Sequence, residues 1–536
     1  MKASIKKFAS TIFIVLLLIS QVKQAYCQEK THSLSFKLSI DEALQKDFKS
    51  EGRLFLFFDK YPDIEPRTEG LGYGYCCFAK NYEHWNANES ITINSTKEWD
   101  KYQSENFLIA DAPETGWYIQ EKWEITNVPE GIYYLQFLWD QDTEESRINS
   151  QGNLYSKTQK IEVKRSMKIE TTLSEVIPPL ILLEHELIKG IKLQSDTLSK
   201  YWGDPVILKA SVLLPSEYYQ HPNKAYPIRY DIAGYGGRYT RLNNYMEDEN
   251  FSKWWLSGEA PQIINVYLDG EGPYGDCYQI DSEAGPYGYA LIHELIPFIE
   301  AKYRGTQSPV TRFVSGCSTG GWVSLALQLF YPDIFNGVFS YSPDPVDFSQ
   351  FLLIDIYKDK NFYFNEYSYP QQLFRTIYGE IVLTWKDFIN FERVISPTGH
   401  FTESREMTGA FNGLFSPKGE DRLSIPLFDE VTGKIDPKVA EHWKKYDLLL
   451  YTKENWKELG PKLKGKIYIW MGDMDNFYLN PALRNYEKFL KSTENPKSDA
   501  VIEFVPMKGH CEGATQRNRI EKVAGRLFKL DEDQGK

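Results

Sequence analysis

Gly316-Cys317-Ser318-Thr319-Gly320-Gly321 follows the strand-like run Arg312-Phe313-Val314 and leads into the helix-like run Trp322 to Phe330. The residues from Gly316 to Gly320 fit G-x-S-x-G. Their setting carries more weight than the string, because three fixed positions recur by chance in a chain of 536 residues. A serine on a sharp strand-to-helix turn sits in strained backbone. Glycines flank it because a Cβ would clash, the turn lifts the hydroxyl into the open, and the helix N-terminus favours negative charge. Ser318 is therefore the candidate nucleophile.

Such a serine needs a base, and the chain has eight histidines. His32, His84 and His185 precede the segment that surrounds Ser318, His293 falls in a helical pattern and His221 sits in a turn beside Pro222. His400 and His442 lie in a long interruption described below, where a substrate-facing or a surface position is open to them. His510 follows the last strand-like run after Lys508-Gly509, in a loop expected at the C-terminal end of a sheet, and is the expected base. The acid that fixes its tautomer belongs between Ser318 and His510, after a strand. Gly472-Asp473-Met474-Asp475-Asn476 offers two candidates there. A G-x-x-D spacing similar to that of hydrolases of this type selects Asp475, with Asp473 as the alternative acid or a loop-stabilising residue.

Two backbone N–H groups must also face the oxygen that becomes negative. One is that of Thr319, the residue after the serine. The other belongs to the loop after the third strand, where Gly234-Tyr235-Gly236-Gly237 follows Tyr226 to Ala233; Tyr235 is the expected donor, with Gly236 close behind.

Around this constellation, strand-like runs at Val206 to Pro215, Tyr226 to Gly234, Gln262 to Asp269, Thr311 to Ser315, Gly337 to Ser342, Lys466 to Met471 and Val501 to Pro506 are interspersed with helical patterns. The helical patterns are Tyr289 to Tyr303, Trp322 to Phe330 and Pro481 to Lys491. Strands alternating with helices predict an α/β fold, a mostly parallel sheet with helices on both faces and the site at the strand ends. The chain order Ser, Asp, His is that of the α/β-hydrolases. Asp344 to Leu463 is too long for a simple connection and reads as a cap insertion, in which Trp385, Trp443 and Trp456 either shape a pocket or pack a core.

The N-terminal part differs. Short aromatic and β-branched runs such as Arg53 to Phe58, Trp117 to Trp123 and Gly131 to Trp139 alternate at period two between turn residues, which predicts an antiparallel β-sandwich-like domain. The expected division is 1–27 signal peptide, 28–170 accessory sandwich, 171–205 linker, 206–343 first part of the catalytic core, 344–463 cap and 464–536 second part.

Lys2, Lys6 and Lys7 precede the apolar run Ile12 to Ile19, which is shorter than the roughly 20 residues of a membrane span. This reads as a signal peptide cleaved before Gln28, giving a secreted or periplasmic protein, with a lipid anchor at Cys27 as the alternative. No later stretch predicts a transmembrane segment. Loss of the four lysines in residues 1–27, with no acid, takes the formal charge from −13 to −17 and argues against nucleic acid as a partner. Aromatic residues make up 15% of the chain, an excess that favours sheet-rich domains and surfaces that stack on sugar or other rings. No metal cluster is read: His293-Glu294 begins H-E-x-x-H but Pro297 ends it, and Asp269-Gly270-Glu271-Gly272 with Asp276 lacks a calcium-loop spacing.

Taken together, Tyr226-Pro227 to Gly237, Gly316 to Trp322, Gly472 to Asn480 and Gly509-His510 resemble the Putative esterase family of α/β-hydrolases, over about residues 200 to 530. That family includes esterase D, feruloyl and acetyl-xylan esterases, enterochelin esterases and mycolyltransferases. Ala233 departs from it, standing where many members have His, and the insertion after Asp344 is longer than in compact members. The resemblance implies a serine esterase that needs no cofactor and takes a small-molecule or polysaccharide-linked carboxylic ester, such as an acetyl or feruloyl sugar ester. A peptidase or acyltransferase on the same residues, or a binding protein with a vestigial hydrolase fold, are the other readings. Cys317 precedes the serine and Cys511 follows the histidine, similar to the tannase and fungal feruloyl esterase pattern in which such a pair is bonded. A disulfide between them is expected in an oxidising compartment.

Overall fold

A computed structural model describes residues 30–68, 76–104, 122–141, 147–276, 278–513 and 515–533. The signal-peptide segment, Cys27, Cys277 and most of the run Trp117 to Trp123 lie outside the described residues. The chain divides into two compact units, one of residues 1–141 and 153–177, the other of 142–152 and 178–536.

In the first unit, Leu34–Ile40 alternates buried and more exposed positions, as a strand with one face on a core requires. Leu34, Phe36 and Leu38 meet Leu54, Leu56, Phe58, Phe137 and Trp139 in that core. The pairings differ from the expected antiparallel sandwich. They run through one nine-stranded sheet, and Met167–Val176 pairs parallel to Leu34–Ile40. The cause is the length of Gly131–Asp140. Its ten residues pair along one edge with Gly52–Asp59 and have room on the other for both Gln159–Val163 and Leu154–Ser156, so hydrogen bonding stays continuous.

The second unit is built on eight strands: β1 (Ile188–Ser195), β2 (Val206–Leu213), β3 (Ile228–Ile232), β4 (Ile264–Leu268), β5 (Arg312–Cys317), β6 (Val338–Tyr341), β7 (Ile467–Gly472) and β8 (Val501–Val505). Their order is β1-β2-β4-β3-β5-β6-β7-β8. The pairings β1–β2 and β2–β4 are antiparallel and the rest parallel. Every residue of β3 to β6 is buried, as strands covered on both faces demand. This is the α/β-hydrolase fold. Helices Tyr287–Ala290, Ile296–Lys302, Thr319–Phe330 and Asn480–Ser492 fall close to the predicted ones.

Two boundaries are corrected. The expected linker 171–205 carries the end of Met167–Val176, all of β1 and the helix Asp196–Trp202. Pro178-Pro179 marks the crossing, but Ile188, Ile191 and Ser195 are buried and β1 pairs with β2 over its full length. Second, the insertion between β6 and β7 ends in the helix Leu448–Leu463, whose Tyr451 ring packs 4.7 Å from Phe330 at the end of the helix after β5. That helix belongs to the layer covering the sheet. Before it, the insertion holds a hairpin, Gln372–Arg375 with Ile381–Thr384, and helices Trp385–Ile395, Met407–Phe415 and Pro437–Trp443. Trp385 and Trp443 are fully buried core residues, packed with Phe351. The half-buried Trp456 donates its indole N–H to the Pro496 carbonyl.

Candidate active site

β5 delivers the chain to Ser318, whose φ of 60° and ψ of −128° make the turn from strand to helix. A Cβ on Gly316 would stand 2.4 Å from the Gly320 carbonyl oxygen, and one on Gly320 would stand 2.3 Å from that of Ile232. Both contacts are with backbone that cannot move aside, so glycine is required at each. The Ser318 N–H donates to the Tyr341 carbonyl at 3.0 Å, and its own carbonyl accepts from Gly321 and Trp322. The turn is thereby tied to β6 on one side and to its own helix on the other, leaving the hydroxyl partly exposed.

His510 lies in the turn after β8. Its Nδ1 is 2.8 Å from Asp475 Oδ2, and its backbone N–H donates to Asn476 Oδ1 at 2.8 Å. Asp475 is fully buried after β7, and its Oδ1 accepts the N–H groups of Phe477 and Leu479 at 3.0 and 3.3 Å. Burial alone would lower the imidazole pKa, but the charge and hydrogen bond of Asp475, with the charge of Asp344, outweigh it, so His510 is raised above its ordinary value. Asp473 points away: its carboxylate pairs with Arg484, both half exposed. The two carboxylates that spacing left open are thus separated by position, since only Asp475 reaches the histidine.

Cys317 and Cys511 are joined by a disulfide with Cα atoms 6.1 Å apart, so the residues next to them, Ser318 and His510, are held by a covalent link across 194 positions of sequence. Cys76 and Cys77 are free and buried in the first unit.

Gly234 lies close to the elbow, because a Cβ there would come 3.2 Å from the Cys317 carbonyl oxygen and 3.8 Å from Ser318 Cβ. The turn that follows closes by the Gly237 N–H donating to the Gly234 carbonyl at 2.8 Å, with Gly236 at a φ of 70° that favours glycine. The Tyr235 hydroxyl donates to Glu406 Oε2. The turn that carries Tyr235 and Gly236 therefore starts at Gly234 beside the serine, and Thr319 opens the helix that follows Ser318.

Sequence reasoning missed several residues that the fold brings here. Asp344, just past β6, accepts the Ser318 hydroxyl on Oδ1 at 3.4 Å, and the Thr319 and Tyr278 hydroxyls on Oδ2 at 2.9 Å each. Arg147 lies 4.4 Å over the Tyr235 ring and fills the space where a Cβ on Gly236 would come 2.4 Å from Nη2. Burial opposes its charge, but Tyr235, Glu406, Asp276 and Glu271 more than compensate, so its pKa is raised. The only signal of Arg147 in sequence is its place in a turn-rich stretch. Because its guanidinium packs on the Tyr235–Gly236 turn, Arg147→Ala is expected to lower kcat on p-nitrophenyl acetate roughly tenfold, less than the loss of an oxyanion donor itself. Steady-state kinetics beside thermal unfolding will check this, and an unchanged kcat would remove Arg147 from the site.

Among the described residues no group of three or more His, Cys, Asp or Glu is placed to hold a metal ion, and no helix is long and apolar enough to cross a membrane.

Residues 207–511 match the family described as Putative esterase. No curated protein matches the chain. Among solved structures, a ferulic acid esterase is 15% identical, with 63% of this chain and 95% of that one covered at a TM-score of 0.38. A fluorophosphonate-binding serine hydrolase of Staphylococcus aureus is 13% identical, covering 63% and 98% at 0.38. An S-formylglutathione hydrolase from Agrobacterium tumefaciens is 13% identical, covering 64% and 93% at 0.35. The family match spans the sheet from β2 to the turn after β8, including the serine elbow and the histidine turn. The chain accordingly belongs to the Putative esterase family of α/β-hydrolases and is a carboxylic ester hydrolase.

Proposed function

We propose that Ser318 attacks the ester carbonyl while His510 takes its proton, Asp475 holds the imidazole in the required tautomer, and the N–H groups of Tyr235 and Thr319, with Gly236 beside them, receive the oxyanion. His510 then activates water to release the acid. The observation that carries this reading is the 2.8 Å contact of His510 Nδ1 with the buried Asp475, in a turn covalently tied to the serine elbow. The chemistry is complete with side chains and backbone, so no cofactor enters it.

For the substrate we propose a carbohydrate or aromatic ester, acetyl or feruloyl, free or linked to a polysaccharide, as the motif resemblance implies. The N-terminal basic and apolar segment supports a secreted or periplasmic enzyme, and the disulfide suits an oxidising compartment. The test is a panel of p-nitrophenyl acetate, acetylated and feruloylated sugars and siderophore esters. Turnover is expected on acetyl or feruloyl sugar esters, and hydrolysis confined to the siderophore esters would overturn the substrate class while leaving the mechanism standing.

A further inference from the structure

The nucleophile has a neighbour that the Ser-Asp-His mechanism does not use. Asp344 is 8% exposed and sits at the first turn beyond β6, the strand between the elbow strand and β7. Its N–H donates to the Ser318 carbonyl at 3.3 Å, and its carboxylate accepts three hydroxyls, those of Ser318, Thr319 and Tyr278. Ser318 Oγ has Asp344 as its hydrogen-bond partner among the described residues. Tyr278, the distal donor, is itself buried and held in left-handed backbone at a φ of 53°, packed against Trp322, Phe411 and Phe415. A buried carboxylate with three oriented donors, two of them on the serine turn and the third from Tyr278, is an anchored charge.

We propose that Asp344 is a positioning residue of this hydrolase, which braces the serine turn through the Thr319 and Tyr278 hydroxyls, releases the Ser318 hydroxyl from its long 3.4 Å bond when that proton turns to His510, and sets a second negative charge on the serine turn. The proposal rests on the Ser318–His510 reading above and extends it. When His510 takes the serine proton it becomes a cation, and Asp475 stabilises that cation from the Nδ1 side. Asp344 holds its charge on the serine turn, and that charge also favours the His510 cation. The groups that face Asp344 are the Tyr278, Ser318 and Thr319 hydroxyls, His510, Asp475 and Asp276; those that act on His510 are Asp475 and Asp344. Burial raises the Asp344 carboxyl, opposed by the Tyr278 and Thr319 hydroxyls and by His510. An anion favours the protonated imidazole, so Asp344 raises the pH at which His510 becomes a competent base.

The test is the pH profile of kcat/KM on p-nitrophenyl acetate for Asp344→Asn in the full chain. Removal of the charge lowers the His510 pKa, and the acid limb should move to lower pH by about one unit. The plateau should fall roughly tenfold as the serine turn loses its brace, a smaller loss than that of a general base. A limb that coincides with the wild-type limb, whatever the plateau, overturns the proposal, because a packing role would lower the rate without moving the titration. If Asp344→Asn fails to fold, Tyr278→Phe decides: loss of one donor weakens the Asp344 anion and should move the limb the same way by a smaller amount. An unmoved limb there is equally fatal. Ser318→Ala is the parallel control, since turnover that survives it would overturn the parent mechanism.

Discussion

Ser318→Ala is expected to lower kcat on p-nitrophenyl acetate by about 10⁴-fold or more, with thermal unfolding unchanged. The substitution removes one oxygen from a residue whose fold is set by its backbone. The φ of 60°, the N–H bond to Tyr341 and the two helix bonds to the Ser318 carbonyl all remain in the variant, although alanine gains nothing that favours the left-handed region. What is lost is the hydroxyl proposed as the nucleophile, which is also one of the three hydroxyls on Asp344. Labelling by a fluorophosphonate probe should disappear with the activity. Turnover within tenfold of wild type would show that another group performs the attack.

Asp475→Asn should cost about 10³ to 10⁴ in kcat, while Asp473→Asn should stay within about twofold of wild type. An amide at position 475 presents an N–H₂ to Nδ1 or leaves it to the wrong tautomer, so that the serine side of the ring carries a proton when it should accept one. Asp473 has no such leverage, because its carboxylate pairs with Arg484 in a half-exposed position away from His510. The pH dependence has a definite sign. His510 is held above the ordinary imidazole range chiefly by Asp475 acting against burial, so wild-type kcat/KM should rise through a pH above that range. Without the Asp475 charge the protonated ring is less favoured, and the residual activity of Asp475→Asn should titrate at lower pH. Equal losses in the two variants, measured on one ester across pH 5 to 9, would contradict the assignment of the acid.

Residues that advertise a local backbone requirement were readable in the chain. Ser318 stands out because its glycines are forced by contacts of 2.4 and 2.3 Å, and His510 and Asp475 because each follows a strand-like run at a turn. Asp344 also follows a strand-like run, Gly337 to Ser342, but Tyr278 left no such mark, and across the 66 positions between them nothing in the sequence says that the two meet. Arg147 is farther still from its Tyr235 contact. The strand β1 was lost in the linker because an edge strand exposes one face, and Lys189, Lys192 and Gln194 there read as connecting chain. The aromatic excess was legible as a number but not as a position. Much of it is spent in packing, in the core of the first unit and in the cluster of Phe348, Phe351, Phe411, Phe415 and Trp443 that reaches Trp322 beside the elbow.

The Cys317–Cys511 bond also closes a ring of chain. That ring contains β6, the whole insertion, β7 with Asp475, and β8. A protease that cuts the insertion at an exposed turn, such as the one at Leu423, which is 48% exposed, opens the ring without dividing the molecule. Serine and histidine stay on one covalent body, and the two pieces run as a single species on a gel until a thiol is added. The insertion can therefore be nicked or spliced with foreign sequence at such turns while the catalytic ends remain joined.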